Sequence, residues 1–579
     1  MKYIFHKKIT LGVVVILSLM ASFGYVGVAQ AANVGDIVNF NVDKSFDASG
    51  RTQVPATLVK ISPKLYFYVE KQWWDSQTEA KQGVISTALN NLAGEFDNNI
   101  YPNLTSVFGS EWDPGADKDS KISILFESIN STEGGYFRET DEYEKIQLPN
   151  SNAREILYLS ISNIEDPNVK IVLGHEFVHL ITFNQKNKIF GVEEDTWLNE
   201  ARADYSSTML GYDNNYGGSN LQQRVRDFIE NPSDSITDWS GTKYDYASVD
   251  LFTHYMVNHY GINILSDSLK SKSIGIDSIN QALAKGGFKE DFASIFTDWA
   301  IALAINDCSQ NVKYCYSDQN LNSLRVSPTL IFLPLSGDSS LSSSNVTKNW
   351  SGNWQKIIGG SGNLRLDFSS LAGLNFQVPY ITYDKDNNYA VKNLDLDKNE
   401  KGLISIKDFG TNFKSLIIIP LLQTKTSGLD GFGIIYPYSF TVSIAGQDSG
   451  SDQILVQKLL DQIESLKKQI AEIIAQRQGL VSSTPVSDQA GICSQISNNL
   501  YVGSNGIAVS CLQQFLKNQG QDIYPEGFVT GNFGNLTKLA VIRFQEKYAS
   551  EILTPAGLAK GSGNVGDLTR AKINQLINK

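Results

Sequence analysis

The sequence predicts a multidomain α+β protein, and three observations carry that expectation. Residues 32–310 mix strand-like alternation with helical spacing. Residues 326–446 hold short alternating runs cut by turn formers. Residues 491–579 read as helices entered through glycine turns. A chain of 579 residues with 41% hydrophobic content also exceeds what one core can organise, so several domains are expected.

The first 31 residues read as an export signal. MKYIFHKK is basic, ITLGVVVILSLMASFGYVGVA carries no charge, and Ala29-Gln30-Ala31 supplies small residues before a cut at Ala32. The apolar run is about 20 residues, long enough to span a bilayer, so an uncleaved membrane anchor is the alternative. In either case the remainder lies outside the cytoplasm. The net charge of −12 disfavours a nucleic-acid partner, which would need a basic face. The four cysteines, Cys308, Cys315, Cys493 and Cys511, allow three pairings; two local disulfides are the simplest arrangement in an oxidising space. No CxxC pair occurs, which disfavours a cysteine zinc site.

VGDIVNFNV and ATLVKISPKLYFYVE alternate apolar and polar residues and predict strands between 32 and 70. SQTEAKQGVISTALNNLAGEFDNNIY predicts a helix with Val84, Leu89, Leu92 and Phe96 on one stripe. KISILF and EILYLSIS predict two more strands, and 167–310 is mostly helical in pattern. One domain is therefore expected over 32–325, mixed to about 165 and helical after. LRLDF, FQVPYITY, SLIIIPLL and YSFTVSI, separated by Gly, Asn, Asp and Ser, predict a β-sandwich over 326–446. Val456, Leu459, Ile463, Leu466, Ile470 and Ile473 form an a/d seam over 452–478, which reads as a coiled coil. Three heptads suit a helical spacer and a weak dimer equally. Residues 479–490 read as a flexible linker. In the tail, GNFGNLTKLAVIRF (531–544) is echoed by GNVGDLTRAKINQL (563–576), with Asn535 and Asp567 expected to cap the two helices.

The stretch with chemistry in it is VLGHEFVHLITF, residues 172–183. On a helix, positions i and i+4 share a face, so His175 and His179 aim two imidazoles at one point. Glu176 stands beside them, able to take a proton from a metal-bound water. A catalytic zinc needs a third protein ligand and one open position. TWLNEARADY (196–205) offers Glu200 for the third, with Asp204 four residues on along the same face. A ligating histidine usually gives its other N–H to a carboxylate, and Asp204 is expected to serve His175. The competing reading, two core histidines with ordinary hydrogen bonds, is weakened because only five histidines occur in the chain.

HExxH followed by NExxxD resembles the gluzincin metallopeptidases, the thermolysin-like clan. GGYFRETDEY, EILYLSI, HEFVHLITFNQK, WLNEARADY and YDYASVDLFTHYMVNHYG resemble, in that order, the hyicolysin-type branch over about residues 50–310. The resemblance implies a thermolysin-like zincin domain and peptide hydrolysis. It implies His175, His179 and Glu200 as zinc ligands and Glu176 as general base. It also points to Tyr246 as the oxyanion donor, with His254 and Tyr244 as rivals. One departure is Ala201-Arg202, where small residues are often expected in that branch, and it bears on pocket shape.

Two acidic clusters raise a calcium reading: Asp113, Asp117 and Asp119, and Asp395, Asp397 and Asn399. Neither has the Gly and Glu positions of an EF-hand loop, so plain turns are favoured. Residues 493–579 resemble the peptidoglycan-binding domain type 1 in YVGSNGIAVSCLQQFL, FVTGNFGNLTKLAVIRFQEKY and GNVGDLTRAKI, which implies a small all-α module that binds the cell wall. The insert YASEILTPAGLAKGS departs from the minimal form. The expectation is thus an exported zinc endopeptidase acting on protein or peptide and held at the wall by its tail. Its rivals are a peptidase cutting wall crosslinks and an inactive wall-binding surface protein.

Overall fold

A computed structural model describes residues 32–130, 134–335, 337–424, 434–445 and 495–577, apart from loop positions 502–503, 505, 525–528, 530–532, 534, 557 and 559. The expected export signal, coiled coil and linker lie outside the described residues. Among the described residues no helix is long and apolar enough to cross a membrane. They divide into two units, one running to residue 326 without 237–240, the other holding 237–240 and everything from 327 onward.

The first unit is built on a six-stranded sheet of β1 (Ile37–Asn41), β2 (Gln53–Ile61), β3 (Leu65–Glu70), β4 (Ile122–Glu127), β5 (Gly135–Phe137) and β6 (Ile156–Ser160). Its order is β1-β2-β3-β4-β6-β5. The pairings β3–β4 and β4–β6 are parallel and central. Every residue of β4 and β6 is buried, which explains why ISILFE and ILYLS read as nearly continuous apolar runs: parallel strands are covered on both faces. The edge strand β5 is too short to leave an alternation in the sequence.

Helices follow: α1 (Lys71–Asp75), α2 (Glu79–Glu95), α3 (Tyr101–Phe108), α4 (Val169–Phe183), α5 (Thr196–Met209), α6 (Asn220–Glu230), α7 (Lys243–Tyr260), α8 (Asn263–Leu269), α9 (Gly275–Lys285) and α10 (Phe292–Ile305). Thr78 caps α2 by accepting from Lys81 N. The buried stripe of α2 is Ile85, Leu89, Leu92 and Phe96, whereas Val84 is 53% exposed, which corrects the expected stripe by one residue. The five-residue step from Val84 to Leu89 turns about 140° round a helix, while the four-residue step from Ile85 stays on one side.

α4 carries the two histidines and is buried on most of its surface. No side-chain bond from Asn168 caps it, so burial of Leu173, Phe177, Val178, Leu180 and Ile181 is what holds it helical. Phe177 stacks at 5.6 Å on Tyr101 and meets Phe96 edge-on at 5.1 Å. Gly174 lets α5 approach: a Cβ there would lie 3.0 Å from Leu210 Cδ1. Cys308 and Cys315 are disulfide-bonded after α10.

In the second unit, strands span 329–445: β7 (Thr329–Leu333), β8 (Ser339–Thr347), β9 (Gln355–Gly359), β10 (Gly362–Ser370), β11 (Phe376–Gln377), β12 (Pro379–Asp384), β13 (Tyr389–Asn393), β14 (Lys401–Phe409), β15 (Phe413–Ile418), β16 (Leu421–Leu422) and β17 (Tyr436–Ala445). Two ladders, β13-β12-β15-β9-β7 and β14-β10-β17-β8, meet at the single β14–β15 pair Phe409–Phe413. Ile357, Leu416 and Ile418 from one ladder share a core with Leu366, Ile404, Phe440 and Val442 from the other. The cluster around Asp397 is a turn, since Asp397 Oδ1 accepts from Asn399 N and Lys401 N.

The tail holds α11 (Ile507–Asn518), α12 (Asn535–Lys547), α13 (Ala549–Ala556) and α14 (Asp567–Ile577) around one core. The sequence echo has a structural counterpart. Gln513 Nε2 donates to Thr537 Oγ1 at 2.9 Å, and one repeat later Gln545 Nε2 donates to Thr569 Oγ1 at 2.9 Å. Asp567 is the first helical residue rather than the cap. Its carboxylate takes Arg570 Nη2, while the preceding Gly566 carbonyl accepts from Arg570 N. Cys511 is disulfide-bonded, and its expected partner Cys493 lies outside the described residues.

Candidate metal centre

The i, i+4 spacing on α4 brings the rings of His175 and His179 to a centroid distance of 4.8 Å, nearly perpendicular at 79°. α5 packs beside α4 and delivers Glu200. Its Oε2 lies 3.1 Å from His175 Nε2 and 3.5 Å from His179 Nε2. One ligand atom from each of the three residues lies within 4.8 Å of the others. Glu176, 6% exposed, occupies the next position on α4 after His175.

The electrostatics favour a cation. Burial pulls the His179 imidazolium down, but the charge and hydrogen bond of Glu200 and the charge of Glu176 outweigh it and raise the group to about 9. Burial pushes Glu200 up, and the charge of His179 with hydrogen bonds from both imidazoles holds it well below the ordinary carboxylate range. A pocket that draws a proton onto a buried imidazole at neutral pH is negative inside. Two imidazole nitrogens and one carboxylate oxygen, converging in such a pocket, fit a divalent ion with three protein ligands.

The groups that orient the histidines differ in part from expectation. His179 Nδ1 lies 3.1 Å from Asn199 Oδ1, so a proton on Nδ1 leaves Nε2 as the ligating atom. Sequence reasoning gave Asn199 no role, although it is the Asn of NExxxD. Asp204 does face His175, but Oδ1 to Nδ1 is 3.9 Å, too long for a hydrogen bond. The strong bonds of Asp204 go to Arg224, from Nε at 2.6 Å and Nη2 at 2.8 Å, and to Asn220 Nδ2 at 3.1 Å. Both partners come from α6, and no local motif announces them.

Tyr246 on α7 comes to the cluster, its ring 6.3 Å from that of His175 and 4.9 Å beneath the Arg224 guanidinium. Burial, together with the charges of Glu200, Asp204 and Glu176, pushes its phenol far up, so the hydroxyl keeps its proton. The rivals lie elsewhere. Tyr244 donates to Glu230 Oε2. His254 meets Thr208 Oγ1 at 3.2 Å and the ring of Tyr205, and burial pulls it down to about 4. Arg202, the departure noted in the sequence, is fully buried and donates to Glu194 Oε2 at 2.8 Å and to Ser268 Oγ. It belongs to the core. A cavity of about 210 Å³ opens beside His179, with Phe137, Glu139, Phe183, Glu193 and Asn199 among its walls.

Two histidines one turn apart and a glutamate on the next helix, with a buried carboxylate beside them, form a group that could hold a metal ion through three protein ligands. No family model matches the chain. It is 28% identical over 240 residues to Neutral metalloprotease ShpI of Staphylococcus hyicus, a match covering 37% of this chain and 52% of that protein. The chain therefore spans about half the length of the curated relative it matches, and the likeness supports a metalloprotease family. Among solved structures, the Yersinia pseudotuberculosis-derived mitogen matches 20% of this chain and 92% of its own at 13% identity and a TM-score of 0.15. The pre-peptidase C-terminal domain of a collagenase from Bacillus anthracis matches 20% of this chain and 96% of its own at 9% identity and 0.14. Likenesses at that level carry no fold assignment.

Proposed function

We propose that this chain is an exported zinc endopeptidase of the gluzincin, hyicolysin-like kind, held at the cell wall by its C-terminal helical module. The observation that carries the catalytic part is the convergence of His175, His179 and Glu200 beside Glu176. The wall-binding part rests on the repeat in the tail.

His175 Nε2, His179 Nε2 and one Glu200 oxygen would hold the ion. When bound, zinc would supply a Lewis acid for the scissile carbonyl and would acidify a water molecule. Glu176 accepts the water proton and hands it to the departing amine. The Tyr246 hydroxyl, protonated at all working pH values, donates to the oxyanion that develops on the carbonyl oxygen. Asn199 holds His179 in its ligating tautomer, and Arg224 steadies both Asp204 and the Tyr246 ring. The cavity beside His179 would receive a substrate side chain.

The test is zinc content together with casein hydrolysis for residues 32–579 and for Glu176→Gln. One zinc in each protein, with activity only in the parent, is expected. Zinc without casein hydrolysis, but with release of peptides from purified wall, would replace the substrate with wall crosslinks. Absence of zinc from both proteins, purified without chelator, would leave the binding-protein reading.

A further inference from the structure

The cavity of about 210 Å³ beside His179 has a distinct chemistry. Phe137 and Phe183, with ring centroids 5.9 Å apart, give it an apolar side. Its polar lining includes Thr182 and three glutamates, Glu139, Glu193 and Glu194. The glutamates are not equivalent. Glu194 is buried and engaged in the core: Oε2 accepts from Arg202 Nη1 at 2.8 Å and Oε1 from Gly275 N at 2.7 Å. Glu139 and Glu193 are exposed, and among the described residues neither carboxylate has an ion pair or a hydrogen bond. The charges of Glu193 and His179 both act on Glu139, so the three groups face one another across a small space. Thr182 is 2% exposed, and its hydroxyl is buried with no hydrogen-bond partner. A buried hydroxyl is normally satisfied, so this one is left for an occupant of the cavity.

Neighbouring positive charge does not fill the space. Lys188 Nζ lies 5.5 Å from the centroid of the Phe183 ring, but Lys188 is not part of the lining. It donates to the Glu142 carbonyl at 2.6 Å, and the rings of Trp112 and Tyr143 enclose it at 3.9 and 4.3 Å. A zinc ion would bring two positive charges, which the carboxylates of Glu200 and Glu176 would balance. Glu139 and Glu193 therefore leave the cavity with an excess of negative charge.

We propose that this cavity is a specificity pocket for a lysine or arginine side chain of the peptide substrate, at a residue flanking the scissile bond. The proposal rests on the endopeptidase reading above and names its substrate class. The ammonium or guanidinium would pair with Glu139 and Glu193 and donate to Thr182 Oγ1, while the methylene stem lies along Phe137 and Phe183. A neutral side chain of the same length would desolvate both carboxylates without giving them a partner, and an acidic one would be repelled. His179 forms part of the wall, so the pocket is fixed relative to the metal centre. The residue it holds consequently stands next to the bond being cut.

The experiment digests denatured casein with the zinc-loaded chain, residues 32–579, and sequences the products by mass spectrometry. Lysine or arginine is expected on one fixed side of the cleaved bonds. Two peptides that differ only there, lysine against norleucine, should then differ about 10- to 100-fold in kcat/KM. Glu139→Gln and Glu193→Gln, both at exposed positions, should each lower that ratio about tenfold, and Glu139→Lys combined with Glu193→Lys should turn the preference toward glutamate. A binding measurement stands apart from turnover: Glu176→Gln should bind the lysine peptide about tenfold more tightly than the norleucine peptide by calorimetry. Cleavage without regard to a basic residue, a ratio unmoved in both glutamine variants, or equal binding of the two peptides would overturn the pocket and leave the endopeptidase reading standing. Hydrolysis of neither peptide, with the lysine peptide still bound more tightly, would overturn the endopeptidase reading and keep the pocket as a binding site for a basic side chain.

Discussion

Arg224 grips the carboxylate of Asp204 through two bonds, at 2.6 and 2.8 Å, and Asp204 thereby stands 3.9 Å from His175 Nδ1. The carboxylate expected to orient the histidine is itself oriented from the helix behind. The same guanidinium covers the ring of Tyr246. Arg224→Met should strand Asp204 as a buried charge and loosen His175 and Tyr246 together. Metal affinity should fall roughly 10- to 100-fold, measured by competition with a chelator of known affinity. Unchanged affinity would mean that Asn220 and packing suffice to hold Asp204.

The metal-free protein should show a defined pH dependence. His179 is raised from 6.5 to about 9, so its stabilising contribution is complete below 6.5 and lost as pH climbs through 9. Glu200 is depressed from 4.5, so its contribution is present above 4.5 and lost as pH falls toward its lowered value. The pair therefore contributes most between pH 4.5 and 6.5. Thermal unfolding of the chelator-treated parent and of Glu200→Gln should differ most in that window. The difference should shrink or reverse above pH 9. A difference independent of pH would reject the pairing.

Glu194 is the anchor of a buried charge cluster. It takes Arg202 Nη1 at 2.8 Å and Lys186 Nζ at 3.3 Å, and all three side chains are at most 2% exposed. Lys186 also donates to the carbonyls of Ser268, Ser271 and Ser273. Glu194→Gln leaves two buried cations without their anion, and should cost about 3–5 kcal/mol, read from the denaturant midpoint. Zinc stoichiometry of the folded fraction should not change, because Arg202 points into the core.

In the tail, Gln545 donates to Thr569 Oγ1 and to the Asn564 carbonyl, and accepts from Gly563 N at 2.9 Å. Gln545→Leu removes these bonds, and a longer one to Ser562 Oγ, from a buried position and should destabilise the module by about 1–3 kcal/mol. Hydrogen exchange across α14 in the full chain should accelerate, while peptide hydrolysis stays at the parent level. Unchanged exchange across α14 would mean that the remaining contacts hold the helix without Gln545.

Helical spacing alone was enough to put His175 and His179 on one face, because a 3.6-residue period links neighbours four apart wherever the helix sits, and the need of a catalytic zinc for a third protein ligand nominated Glu200 downstream. Period two marked the strands, and continuous apolar runs marked β4 and β6. Finer placement escaped the same reading: Val84 and Ile85 are adjacent and both apolar, and which one turns inward depends on what the helix meets. Asn199 as the partner of His179, Arg224 behind Asp204 and Arg202 turned into the core were all settled by packing between separate segments of the chain. Such contacts follow from burial and charge in three dimensions, and no local period encodes them.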